Sequence, residues 1–284
     1  MLAGDQPVDE EESALAFTVE LTPAPDIISI LRTQRSRLVS TKGDGYYRSR
    51  LEGNVRVTIS LDGSVIGYAA LEQQFPGKVG VLEFYIRTGC ARYLTPAWEA
   101  LRQAVRPDYL LIRTDDPIAT QLAFDLHLST EPGALYMERE ASVRLAGRPG
   151  LELRPLAPET FEAAFAILAP ESPWEGGHSE EEREPMFASI GTNQYNTLLL
   201  NGQVVGVGML TQEEEGLLDI GMVIHRDFRG QGLAAYLLSN LASDMEELGF
   251  RVMAGLGCQN LASRKALENA GFRVVYGWWT TEVL

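Results

Sequence analysis

The chain repeats itself, and that repetition restricts the folds open to it more than any single residue does. Residues 62–73 (DGSVIGYAALEQ) align without a gap on residues 201–212 (NGQVVGVGMLTQ) at an offset of 139, so that Gly63 falls on Gly202. Both stretches read as a turn leading into a buried strand. The correspondence then continues in order. Residues 79–86 (VGVLEFYI) answer 216–224 (GLLDIGMVI), and helical patterns follow at 91–105 and 232–249. Next come a strand running into a loop, at 110–117 and 252–260, and a last helical stretch, at 118–128 and 261–272. One matching strand would mean little, but an ordered series of elements points to a duplicated α/β unit.

The boundaries of the units follow from local composition. Residues 1–13 carry an acidic run and read as a disordered tail. The Gly and Pro of AGRPG suit a linker at 146–150, and LELRPL after it alternates like a new first strand. The expected organisation is therefore a tail at 1–13, a first domain at 14–145, a linker at 146–150 and a second domain at 151–284.

Composition removes several classes of function. No run approaches the ~18 apolar residues that a membrane span needs. The acidic N-terminus lacks the basic stretch and apolar core of a secretory signal. The two cysteines, Cys90 and Cys258, lie in different halves and suggest no disulfide framework. A cytoplasmic protein is the expectation. Histidines 127, 178 and 225 are too dispersed to form a metal site. The formal net charge is −15, of which residues 146–284 carry −10. A field of that sign repels nucleic acid and anionic membrane and favours cationic partners, although acidity also serves solubility alone.

One segment breaks the repeat. Between strand and helix the second half has HRDFRGQG (225–232), where the first has only RTG (87–89). The helix after it is marked by Leu233, Leu237, Leu238, Leu241, Met245 and Leu248 at helical spacing, with Gly249 as a stop. A Gly-rich turn at a helix N-terminus bares backbone N–H groups where the helix dipole is positive, an arrangement that binds phosphate oxygens. Taken alone, such a turn is as readily a plain strand-to-helix connection.

The wider context carries more. The stretch from MVIHRDFRGQGLA to GCQNLASRKALENAGF closely resembles motifs A and B of the GNAT superfamily of N-acetyltransferases. The first motif is met by Arg229, Gly232 and Ala234, and the second by Asn260, Ser263, Gly271 and Phe272. The resemblance covers residues 151–284, and through the internal repeat residues 14–145 look like a degenerate second copy. It implies two tandem α/β (α+β) domains, each with a mixed, splayed central sheet flanked by helices. It also implies acetyl-CoA as cosubstrate, with no metal. Backbone groups of Met222, Val223 and Ile224 would bond the pantetheine. The amides of Arg229, Gly230, Gln231, Gly232, Leu233 and Ala234 would hold the pyrophosphate, and Asn260 and Ser263 would stand near the cofactor, Asn260 serving equally as a helix cap.

Catalytic residues are less clear from the sequence. Asp219 is the carboxylate nearest the fourth-strand site, a base or relay under the resemblance and a surface strand residue otherwise. The position at which the family usually carries a tyrosine acid is Leu267. Tyr276 from the following strand, water, or a catalytically weak domain are the three readings left open. Cys258 reads as a small buried residue. On the acceptor side, Trp174, Glu175 and His178 would line a pocket for an apolar stem and an ammonium. The function implied is transfer of an acetyl group to a primary amine of a small cationic molecule or a peptide. A non-catalytic CoA-binding regulatory protein and a tandem enzyme acting on a thiol-sugar amine, as in mycothiol synthesis, are the alternatives. Acidity argues against a tRNA substrate. A homodimer, common in the family, is not legible in these residues.

Overall fold

The computed structural model describes residues 15–21, 25–39, 54–73, 76–169 and 180–283. The tail read at 1–13 lies outside them, as do Trp174, Glu175 and His178. The first repeat supplies β1 (Phe17–Leu21), α1 (Pro25–Arg35), β2 (Val55–Leu61), β3 (Ser64–Glu72) and β4 (Gly80–Ile86). It continues through α2 (Leu94–Val105), β5 (Tyr109–Arg113), α3 (Pro117–Asp125) and β6 (Glu131–Arg139). The second supplies β7 (Leu151–Pro155), α4 (Pro158–Leu168), α5 (Glu180–Ala188), β8 (Tyr195–Leu200) and β9 (Gln203–Glu214). It ends with β10 (Leu217–Ile224), α6 (Leu233–Glu247), β11 (Arg251–Gly257), α7 (Leu261–Asn269) and β12 (Phe272–Glu282).

The matched segments that disclose the repeat in the sequence are hairpins. Asp62 and Gly63 both have positive φ (50° and 76°), and so do Asn201 and Gly202 (51° and 80°). Two successive residues of that hand make the tight turn whose twist matches antiparallel strands, which is why Asp-Gly and Asn-Gly occur there.

All twelve strands join in one sheet of order β1-β2-β3-β4-β5-β12-β6-β11-β10-β9-β8-β7. Each repeat lays down its first five strands in sequence and then lends its sixth to the other. β12 pairs with β5, Trp278 facing Arg113, while β6 pairs with β11, Tyr136 facing Gly255. The exchanged strands also pair with each other, and Tyr136 stacks on Tyr276 at the junction, with ring centroids 4.7 Å apart and planes 6° from parallel. Stacked aromatics at that spacing add stabilisation beyond their buried area. The two mixed, helix-flanked units are thus fused into a continuous layer.

Apolar residues gather on each side of this sheet. In the second repeat Leu233, Leu237, Leu238, Leu241 and Met245 of α6 pack on Leu218, Ile220, Ile224, Val252 and Ala254. Each buried side chain of this kind contributes about 1.5–3 kcal/mol. Leu248, counted in the same stripe from its spacing, falls outside it. α6 ends at Glu247 and the chain turns away through Gly249 at φ 89°, leaving Leu248 64% exposed. On the opposite face, Phe161, Phe165 and Leu168 of α4 and Met186 of α5 pack against Val204 and Val207.

Candidate functional site

β10 and β11 are parallel neighbours only at their start. Leu217, Leu218 and Asp219 pair with Arg251, Val252 and Met253, and there the register stops. Beyond that point β10 keeps its pairing with β9, Met222 facing Gly208 and Ile224 facing Gly206, while β11 leans on β6. The sheet therefore parts, and the inner edge of Ile220–Ile224 loses its strand partner. Backbone N–H and C=O groups on such an edge are obligatory hydrogen-bonding groups in want of a ligand or water.

A cavity of about 640 Å³ occupies this gap. Its walls include Ile220, Met222, Val223 and Ile224 of β10, Ala254, Leu256 and Gly257 of β11, and Ala266 and Leu267 of α7. At its mouth stand Arg229, Gly230, Gly232, Leu233 and Ala234, with Asn260 and Ser263 on the other rim. The walls are predominantly apolar and the mouth is lined by main chain. The gap can thus take an extended, largely apolar chain that ends in an anionic group.

The mouth fits such a group. Gly230 and Gly232 have φ of 73° and 77°, and a Cβ added at either would meet no protein atom within 4 Å. Glycine is required there by backbone conformation, and the space beside it is open. The hydrogen-bond ladder of α6 begins with the Tyr236 amide on the Gly232 carbonyl (3.1 Å). The N–H groups of the turn before it have no intrahelical acceptor. They point outward at the positive end of the dipole.

The side chains of the loop have separate tasks. Arg229 folds back, its Nε donating to the Ile224 carbonyl (3.1 Å), which pins the loop to the end of β10. Gln231 accepts from Arg148 of the linker (2.9 Å). Asn260 caps α7 by accepting from the Ser263 amide (3.1 Å), so both residues belong to the rim of the cavity and to the start of a helix.

Two candidates stand apart from the cavity. Asp219 is the last residue of β10 to pair with β11, half-buried at the fork. By strand alternation it faces away from α6, on the side of Leu217 and Val223. Tyr276 is 1% exposed, enclosed by Tyr136, Trp278 and Met253. The Arg113 guanidinium lies 4.1 Å from its ring centroid. Leu267 does line the cavity, so an apolar side chain occupies that wall. On the face of α4 and α5, burial pushes the Tyr195 phenol above its ordinary range, with the charge of Glu182 adding to the shift. Cys258 is half-buried, its thiol donating to the Pro132 carbonyl (2.9 Å).

The first repeat forms the same parting and bridges it. β4 and β5 pair in parallel only at Gly80–Tyr109 and Val81–Leu110. Across the gap beyond, Arg35 of α1 bridges Glu83 on β4 (2.7 Å) and Asp116 past the end of β5 (2.7 Å). Tyr68 donates to the second oxygen of Glu83 (3.0 Å). Asp116 also caps α3, accepting from the amides of Ile118 and Ala119, the office that Asn260 holds in the second repeat. Where one repeat leaves a cavity, the other holds a buried ion-pair network. Sequence reasoning found the missing glycine turn, but the network itself gave no signal, because Arg35 is remote from both carboxylates along the chain.

A mixed α/β sheet that parts between the fourth and fifth strands of each unit, with a glycine turn at the mouth, defines the GNAT class of fold. Residues 150–273 match the family model of the acetyltransferase (GNAT) domain. A comparison with curated proteins finds no match. Among solved structures, an acetyltransferase of the GNAT family from Colwellia psychrerythraea is similar at a TM-score of 0.71 and 15% identity, covering 94% of this chain and 100% of that one. A GCN5-related N-acetyltransferase from Sphaerobacter thermophilus matches at TM-score 0.62 and 16% identity, covering 94% and 95%. A tandem GNAT protein from the clavulanic acid biosynthesis pathway matches at 0.59 and 16%, covering 94% and 98%. At these identities the likeness establishes the fold, and it runs through both repeats. No helix among the described residues is long and apolar enough to cross a membrane.

Proposed function

We propose that residues 151–284 form an acyl-CoA-dependent N-acyltransferase domain using acetyl-CoA, that residues 14–145 are a degenerate copy without a cofactor site, and that 146–150 link them. The observation that carries this reading is the cavity running from the glycine turn into the parted sheet. In the proposal the amides of residues 229–234 hold the pyrophosphate, while the bared edge of Met222, Val223 and Ile224 bonds the pantetheine arm. Asn260 and Ser263 border the same path.

The acceptor is a primary amine of a small cationic molecule or peptide. With a pKa near ~10 it arrives protonated, and the net charge of −15 favours its approach. It must lose a proton before its nitrogen forms a bond to the thioester carbonyl. Asp219, at the fork on the face of α4 and α5, is the proposed proton acceptor or relay. Charge developing on the carbonyl oxygen is met by a backbone N–H of β10. As the C–S bond breaks, the thiolate takes its proton from water. This choice is supported by the enclosure of Tyr276 away from the cavity and by the apolar side chain at Leu267.

The test is calorimetric binding of coenzyme A, followed by thioester turnover against an amine panel. Heat of binding that Gly232→Glu abolishes is expected, because that change fills the open mouth and adds a negative charge. A wild-type protein with no heat of binding sinks the proposal. A second reading, a CoA-binding protein without catalysis, has Leu267 in its favour, and binding with no turnover across the panel would establish it.

A further inference from the structure

The chain between the repeats is more than a tether. From Arg139 onward it lies along α6 and is fastened to it at successive turns. The Arg139 guanidinium, 8% exposed, donates to the Ser239 carbonyl (2.9 Å) and the Ser243 hydroxyl (2.8 Å). The Leu145 amide donates to the Ser239 hydroxyl (2.8 Å), and Asn240 donates to the Leu145 carbonyl (3.0 Å). Gly147 lies against the Tyr236 ring, where an added Cβ would sit 3.2 Å from the phenol oxygen. The strap thus passes 243, 239, 240 and 236 in turn, travelling toward the start of the helix. It ends with Arg148, whose Nη2 donates to the side chain of Gln231 (2.9 Å).

That endpoint has a chemical meaning. Gln231 lies between Gly230 and Gly232, both of which line the mouth of the cavity. A side-chain amide holds a guanidinium without cancelling its charge, and no carboxylate among the described residues is within ion-pair distance of Arg148. Of the other cations nearby, Arg229 turns back onto β10, Arg226 lies beside Asp227 (3.7 Å) and Arg264 pairs with Glu268 (3.0 Å), while Lys265 also lines the cavity. A guanidinium offers five donors in a planar fork suited to phosphate oxygens. In a half carrying −10, a polyanionic ligand needs local positive charge to approach.

We propose that Arg148, supplied by the linker between the repeats, is a further phosphate-binding residue of the acyl-CoA site, and that the strap along α6 positions it there. This rests on the CoA reading above. The experiment measures the affinity of the full chain for coenzyme A, for 3′-dephospho-CoA and for acetyl-pantetheine, which lacks the nucleotide phosphates. Wild type, Arg148→Gln and Arg144→Gln are compared at low and high salt. Arg144, on the same strap but paired with Asp244 and Glu247 toward the other end of α6, serves as the control.

Arg148→Gln is expected to weaken coenzyme A about tenfold, the usual scale for losing a charge-assisted hydrogen bond. It should flatten the salt dependence and leave acetyl-pantetheine unchanged. A loss kept with 3′-dephospho-CoA assigns the contact to the pyrophosphate, and a loss confined to coenzyme A assigns it to the 3′-phosphate. Arg144→Gln should bind as wild type does. Equal coenzyme A affinity in wild type and Arg148→Gln at low salt overturns the assignment while leaving the CoA reading intact. An equal loss on acetyl-pantetheine overturns it too, by revealing a merely structural effect, and no binding by wild type removes both proposals together.

Discussion

Replacing Arg35 by methionine tests what the buried ion-pair network contributes where β4 and β5 part. Arg35, Glu83 and Asp116 are 6%, 3% and 1% exposed, so neither carboxylate can turn to water when the guanidinium is removed. The apolar stem of methionine recovers some packing, but Asp116 then loses its cation, while Glu83 retains the more exposed Arg32 at 3.7 Å. Breaking one side of a buried ion pair costs about 3–5 kcal/mol, because the stranded charge keeps its desolvation penalty without the Coulombic return. For a chain of this size that lowers the melting temperature by on the order of 10 °C. Calorimetric or circular-dichroism melting measures the loss. Arg35→Met combined with Glu83→Met should regain part of it by removing one buried carboxylate, a coupling that a double-mutant cycle isolates. Coenzyme A affinity and a stoichiometry of one per chain should persist in the variant, since the open cavity is in the other repeat. A loss below about 1 kcal/mol would mean that the network contributes little where the two strands part. Two coenzyme A molecules per wild-type chain would refute the reading of the first repeat as a copy without a cofactor site.

Three further outcomes are expected. Gly271→Ala puts a Cβ 2.3 Å from the Ala141 carbonyl oxygen at φ 92°, and should cost roughly 2–3 kcal/mol in urea unfolding, against no change if that turn relaxes freely. A fragment limited to residues 150–284 lacks β6 and bares an edge of β11. Light scattering should give at least twice the monomer mass, as β12 of one copy takes the place of β6 in another; a stable monomer with full coenzyme A affinity would contradict the strand exchange. Burial, and then the charge of Glu83, hold the Tyr68 hydroxyl well above its ordinary 10.0. Its stabilising contribution is therefore fully present below about pH 10 and lost as pH rises beyond, and Tyr68→Phe should blunt this alkaline fall in stability.

The glycine turn was legible because its demands are local. Positive φ at Gly230 and Gly232, an unladdered first helical turn and an Asn cap at 260 are all written in adjacent residues. The hairpins at Asp62-Gly63 and Asn201-Gly202 disclosed the duplication for the same reason. Leu248 marks the limit of that kind of reading, since periodicity alone does not say where a helix stops.

By itself, then, the sequence determined the repeat, the order of the strand and helix segments that its two halves visibly share, and the glycine turn before α6. It could do so because hydrophobic period and turn chemistry act over a few residues. Only the tertiary structure decided that the sixth strands trade places, that Arg35 bridges Glu83 and Asp116, that Tyr276 is enclosed and that Arg148 reaches the loop. Each of these joins residues far apart along the chain, and such contacts are chosen by burial and charge compensation after the elements have formed.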